Sequence, residues 1–138
     1  MLLTAFSQVN WLAVVVATVL LAGLGALYFL VIVPKQYVVV LGRENAPTPE
    51  GGVIDGLGPV VCTFLTVLTS AVLMAALGID TVGDAVVFGL VVGVGYLLAM
   101  TFNIAINPNF PHPIRYGLLN TPYFLGGSVI TALAVVLL

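Results

Sequence analysis

Four long runs of nearly uncharged apolar residues leave this chain few ways to fold. A bilayer core about 30 Å thick is crossed by about 20 apolar residues in an α-helix. Backbone N–H and C=O groups cannot stay unpaired in hydrocarbon, so continuous runs of this length enter it as helices. The runs lie at about 11–33, 59–77, 82–107 and 116–138. Only 6% of the 138 residues are charged, against about 25% in a soluble domain. Such a chain cannot cover itself with a wettable surface. The expectation is an all-α polytopic membrane protein, a single domain over 1–138 with four transmembrane helices in an up-down bundle.

Breakers and caps set the expected ends. Pro34 stops the first run, and Trp11, Tyr28 and Tyr37 suit the interfacial belts where amphipathic rings settle. Pro59 fits the first turn of the second helix, where a missing N–H is harmless, and Gly78 fits the residue just past its end. Thr81 and Asp84 have the spacing of a capping box at the start of the third, which Pro108 ends. About 26 residues in that run exceed the bilayer core, so the helix should tilt or project. The N-terminus lacks a basic region and a small-residue cleavage site, so the first run reads as a retained helix. Between the first two runs, "PKQYVVVLGR" is too short to span and suits the interface. "ENAPTPEGGVIDGLG" reads as an irregular connector. Asn109 to Pro113 form a stiff turn before the fourth run.

Three cations orient the expected bundle. Lys35, Arg43 and Arg115 all fall in or beside the 34–58 and 108–115 loops, while Asp80 and Asp84 lie at the opposite end. By the positive-inside rule those two loops face the cytoplasm and both termini face outward, across the cell (cytoplasmic) membrane.

The same scarcity excludes functions. A net charge of −2 with three cations offers no basic patch for nucleic acid. Cys62 stands alone, so one chain can build no disulfide framework or metal knuckle. Glu44, Glu50, Asp55, Asp80 and Asp84 lie in loops or at helix ends, and His112, between two prolines, has no second histidine. No nucleophile–base pair, paired carboxylate or phosphate-cradling motif is legible. The expectation is no enzyme, no cofactor and no metal.

Polar residues inside the runs are therefore the candidates. Helices meeting in lipid depend on small residues and interhelical hydrogen bonds. Gly89 and Gly93 have the small-residue spacing, and serve packing within the chain or a contact between subunits. Thr63, Thr66 and Ser70 share one face of the second run. They form either a packing face whose hydroxyls bond their own carbonyls or the lining of a water-filled path. In the third run a stripe continues through Tyr96 and Met100 to Asn103 and Asn107. Asn120 and Tyr123 lie at the same membrane end of the fourth. The expectation is a hydrogen-bonded cluster of Asn103, Asn107, Asn120 and Tyr123, either as glue between helices or facing a ligand. Pro122, between Asn120 and Tyr123, removes the bond to the Leu118 carbonyl and predicts a kink.

"NWLAVVVATVLLAGLGALYF" and "HPIRYGLLNTPYFLGGSVITALAVVLL" resemble a family of small four-helix prokaryotic integral membrane proteins catalogued only as a domain of unknown function. Its opening pattern is matched by Asn10 to Val14 and by Gly25 with Tyr28. Its last-span pattern is matched by Pro113, Arg115, Leu118, Asn120 and Tyr123. The chain departs from it at His112, at Pro122 and in the "PKQYVVVLGR" segment. The resemblance implies four spans and directs attention to Asn120 and Tyr123, and carries no activity with it.

The function expected from these residues is that of a small non-enzymatic membrane protein in the lipid bilayer. It would be a structural or accessory helix-bundle subunit, forming a homo-oligomer or joining a larger membrane complex. The alternative is a channel or transporter passing a small neutral solute along a Thr/Asn/Tyr-lined path.

Overall fold

Residues 2–138 are described by the structure, a computed structural model. Among them every regular element is helical. Four helices are long and apolar enough to cross a bilayer: Trp11–Ile32, Val53–Leu77, Val82–Ala105 and Pro113–Leu137, the first to fourth spans below. The chain is an all-α polytopic membrane protein. Two short helices, Leu2–Ser7 and Pro34–Val40, flank the first span.

Local chemistry explains the ends, including those that differ from expectation. Asn10 Oδ1 accepts the Ala13 N–H at 3.2 Å and opens the first span. Its last turn, Tyr28–Ile32, widens to a π-helix in which the Val33 N–H reaches the Tyr28 carbonyl at 2.9 Å. Pro34 ends that span but also begins the helix Pro34–Val40, where no N–H is needed.

The second span starts at Val53, not at Pro59, so "VIDGLG" is helix rather than connector. Pro59 orphans only the carbonyl of Asp55, an exposed residue of the first turn. Asp55 also anchors that turn: its carboxylate accepts the Gly52 N–H at 2.7 Å, and its own N–H reaches the Gly52 carbonyl at 3.1 Å. Gly78 closes the helix at φ +67°, a left-handed conformation suited to glycine.

At the third span, the Thr81 hydroxyl accepts the Asp84 N–H at 3.1 Å and donates to the Asp84 carboxylate at 2.8 Å. The carboxylate thus holds the hydroxyl instead of a backbone N–H. A π-helical stretch, Gly93–Leu98, interrupts this span. It ends at Ala105 because the Asn107 side chain donates to the Ile104 carbonyl and accepts the Asn109 N–H, turning the chain. The fourth span begins at Pro113, ahead of the expected Tyr116, and its helix runs through Pro122 without interruption.

Packing places the fourth span at the centre. It lies antiparallel to the third, with Gly89 against Ser128 and Val129, and Gly117 against Phe102. It lies antiparallel to the first, with Gly25 against Tyr123 and Leu21 near Gly127. The first span packs on the second through Val14, Ala17, Leu21, Val67, Ala71 and Val72, and Ala5 of the N-terminal helix joins that core. The second and third spans meet beside their connecting turn, where Met74 packs with Ala85 and Ala132. Farther along they part, leaving an open groove between Leu65, Thr69 and Leu73 on one side and Val92, Tyr96 and Leu97 on the other.

Candidate functional site: an aromatic clasp between the first and fourth spans

Two tyrosines bind the first span to the fourth. The Tyr123 hydroxyl donates to the Leu21 carbonyl at 3.2 Å, and the Tyr28 hydroxyl donates to the Leu119 carbonyl at 2.8 Å. Each arrangement needs a neighbouring backbone feature. A Cβ on Gly25 would lie 2.8 Å from the Tyr123 hydroxyl, so only glycine lets the phenol reach the helix beneath it. Pro122 has no N–H to give the Leu118 carbonyl, and the next carbonyl along, Leu119, takes a donor from the other helix. The Tyr28 ring stands at the start of the π-helical turn, whose wider winding sets the direction of the aromatic side chains that follow.

Aromatic rings extend the clasp towards the loop end. Phe29 meets Tyr28, Tyr123 and Tyr37 edge-on at centroid distances of 5.1, 5.3 and 5.3 Å. Tyr37, on the short helix after the first span, lies 5.9 Å from Tyr116, and their hydroxyls are 3.4 Å apart. Phe110 in the turn meets Tyr116 at 5.0 Å, and Phe124 meets Tyr123 at 5.3 Å. Edge-on aromatic pairs each contribute roughly 0.5–1.5 kcal/mol beyond their burial. Burial pushes the Tyr37 phenol well above the usual tyrosine range, and its bond to Tyr116 adds to the effect. Tyr37 is therefore a neutral hydrogen-bonding group at any physiological pH.

The expected cluster of Asn103, Asn107, Asn120 and Tyr123 is not drawn together by hydrogen bonds among the described residues. Asn120 is 2% exposed, but its amide donates to the Tyr116 carbonyl at 2.7 Å, one turn back in its own helix. Asn107 is spent on ending the third span. Asn103 is exposed, and its amide reaches only the Met100 sulfur at 3.9 Å. The physical reason is the face each occupies: Phe102, not Asn103, lies against Gly117 of the fourth span. Tyr123 turns instead towards the first span.

The other expected residues are placed as follows. Thr66 and Ser70 donate to the Cys62 and Thr66 carbonyls at 2.9 Å each, within their own helix, and Thr63 is half-buried beside them. A Cβ on Gly89 would meet Val129 Cα at 2.7 Å, and one on Gly93 would crowd Ser128 and Leu125. At this crossing the Ser128 hydroxyl lies 2.7 Å from the Gly89 carbonyl, with the Leu125 carbonyl of its own helix at 2.9 Å. Lys35, Arg43 and Arg115 stand exposed at the loop end. Sequence reasoning missed Ser128 as a cross-span donor and read Tyr28 and Tyr37 as belt residues. The small residues Gly25 and Gly89, spaced to admit a hydroxyl, were the available signal.

Chemically, the clasp is a set of neutral hydroxyls aimed at backbone carbonyls. No buried side-chain polar atom among the described residues lacks a hydrogen bond. Among the described residues, no three His, Cys, Asp or Glu side chains come together.

No characterised protein and no solved structure matches the chain. The sequence profile of a family described as protein of unknown function, DUF1761, matches residues 12–137, nearly the whole of all four spans, and the chain belongs to that family.

Proposed function

We propose that this protein is a non-catalytic accessory subunit of the cytoplasmic membrane that acts by helix association, with itself or within a larger membrane complex. The observation that carries this reading is the division of its polar groups. Those between the first, third and fourth spans are consumed in bracing, by Tyr28, Tyr123 and Ser128. The side between the second and third spans is left as an open groove. In lipid, a braced bundle with one unfilled side suits a partner helix, because close packing is the main gain available to helices there. Native mass spectrometry from membrane vesicles tests this: the 14.3 kDa chain should appear in heavier assemblies. A chain found only as a monomer, in vesicles and in mild detergent, overturns the reading.

The same reading places the 34–58 and 108–115 loops in the cytoplasm, on the strength of Lys35, Arg43 and Arg115. A Gly51→Cys variant should react with an impermeant thiol reagent only from the cytoplasmic side of oriented vesicles, in a Cys62→Ser background.

A second reading, passage of a small neutral solute, draws support from Thr66, Thr69 and Ser70 along the groove. Thr66 and Ser70 spend their donors on their own helix, which weakens it. Purified protein in liposomes should show no flux for ions or neutral solutes; flux of a neutral solute would reverse the order of the two readings.

A further inference from the structure

Five polar side chains are buried among the described residues, and four of them spend the one hydroxyl they carry on a carbonyl: Thr18, Ser70, Ser128 and Thr131. Asn120, the fifth, is 2% exposed and has more to satisfy. A carboxamide presents two donors and two acceptor lone pairs. One N–H goes to the Tyr116 carbonyl. Because that partner only accepts, the amide nitrogen must face it, and the orientation of the group is fixed. The Asn120 oxygen accepts from no group among the described residues. Every fully enclosed side-chain polar atom is hydrogen-bonded, so this oxygen is not enclosed. It belongs to the small part of the side chain that still meets open space.

Asn120 stands about 10 Å inside the Pro113–Leu137 span at 1.5 Å per residue. An acceptor left bare at that depth is costly. Thr63 of the second span lies nearly level with it. Counted along the antiparallel spans from the contacts of Gly117 with Phe102 and of Met74 with Ala85, the two residues differ by less than about one helical turn. Thr63 shares the inward helix face that carries Val67, Ser70 and Met74. It is half-buried, and its hydroxyl has no hydrogen bond among the described residues, whereas Thr66 and Ser70 bond their own helix.

We propose that Asn120 anchors an internal site for one small neutral hydroxyl, that of a water molecule or the terminal hydroxyl of a solute, with Thr63 as its second contact. The site goes beyond the accessory reading and holds whether or not the chain associates. The free edge of the carboxamide both accepts and donates, and a hydroxyl is the smallest group that answers both. A charged occupant would lack a countercharge, since every Asp, Glu, Lys and Arg lies in a loop or the first turn of a helix. A side chain only 2% exposed admits one small group, not a ring. The Asn120 oxygen, its second N–H and the Thr63 hydroxyl together offer roughly the three bonds an enclosed water makes.

Magnetic resonance on the full chain in lipid nanodiscs tests this through the side-chain amide protons of Asn120. A cross-peak to a proton at the water frequency is expected, and it should persist in perdeuterated lipid. Glycerol is the probe for a solute hydroxyl. Replacement of the water cross-peak by one to glycerol supports a site for solute hydroxyls, and a water cross-peak that glycerol leaves intact supports water as the occupant. Thr63→Val should weaken occupancy about 3- to 20-fold, the range of one hydrogen bond between membrane helices. Thr63→Ser keeps the hydroxyl and should restore it, which a role in packing alone would not predict. Should Thr63→Val fold poorly, the cross-peak in the unaltered chain and its loss in Asn120→Leu supply the second measurement. Full occupancy in a folded Thr63→Val overturns Thr63 as the second contact. Asn120 protons that meet only lipid chains, or only another side chain of this protein, overturn the site.

Discussion

Tyr28 and Tyr123 lie stacked with ring centroids 6.4 Å apart and planes inclined by 15°, and each donates its hydroxyl to the main chain of the other's helix. The two bonds point in opposite directions across the same interface, so they fix the relative depth of the first and fourth spans as well as their separation. Both acceptors are carbonyls already inside a helix. The hydroxyls therefore add bonds without taking any residue out of helical geometry.

Tyr28→Phe and Tyr123→Phe should each lower stability by about 0.6–1.7 kcal/mol, the range measured for hydrogen bonds between membrane helices. Because both bonds hold the same two helices in one register, the double variant should lose less than the sum of the single losses. Reversible unfolding in mixed micelles gives all four corners of this cycle. Strict additivity would mean that the two bonds act independently.

Glycine contacts divide into rigid and yielding ones. A Cβ on Gly89 would meet the Val129 Cα at 2.7 Å, and backbone cannot step aside without separating the helices. Gly89→Ala should cost about 1–3 kcal/mol, the usual range for overpacking. Gly25→Ala meets the Tyr123 hydroxyl, the far end of a side chain, and should cost about as much as Tyr123→Phe, because the ring shifts and its bond breaks. Gly23→Ala meets nothing and should be neutral or stabilise the helix by up to about 1 kcal/mol. Thermal midpoints in detergent rank the three.

Much of this architecture is legible in the residues, and the limits of that legibility have physical causes. Apolar run length gives the four spans, since the bilayer sets one length scale for all of them. Gly78 and the Thr81–Asp84 pair mark the hairpin between the second and third spans. Pro59 misleads because a proline one turn or so inside a helix orphans a single carbonyl, and that carbonyl lies in an exposed first turn. The asparagines mislead more seriously. Residues at the same membrane end need not share a facing surface, and a π-helical stretch such as Gly93–Leu98 changes the angular position of everything after it. Helical spacing alone does not show that widening, so Asn103 is assigned to the wrong side. Tyr123 is expected beside the asparagines but donates to the Leu21 carbonyl, a partner with no side-chain signature at all.

Ser128 should matter more than hydroxyls that bond only their own helix. Its hydroxyl lies 2.7 Å from the Gly89 carbonyl of the third span, nearer than the 2.9 Å to the Leu125 carbonyl of its own helix, whereas Thr121 donates to Gly117, one turn back in the fourth. Ser128→Ala should cost about 0.6–1.7 kcal/mol and loosen the third span from the fourth. Thr121→Ala should fall below that, since a helix carbonyl keeps its backbone donor when such a hydroxyl is removed. Hydrogen exchange across residues 86–93 reads the loosening directly: faster exchange is expected in Ser128→Ala and unchanged exchange in Thr121→Ala.

Tyr37 sets an alkaline limit on the clasp. Its phenol is held above the usual value by burial first and by the Tyr116 hydroxyl second, whereas in the unfolded chain it titrates near the ordinary value of about 10. Below that value both states keep the proton, and Tyr37 adds no pH dependence. Above it, the unfolded state releases a proton that the folded state retains, so stability falls as pH rises. Unfolding measured from pH 9 to pH 11.5 should therefore show a decline that steepens beyond about pH 10. Tyr37→Phe removes the titrating group and should flatten that part of the curve while lowering stability at pH 8, through the lost bond to Tyr116. An alkaline slope identical in the two proteins would show that Tyr37 ionises as readily in the folded state as in the unfolded one, which its burial between Phe29 and Tyr116 argues against.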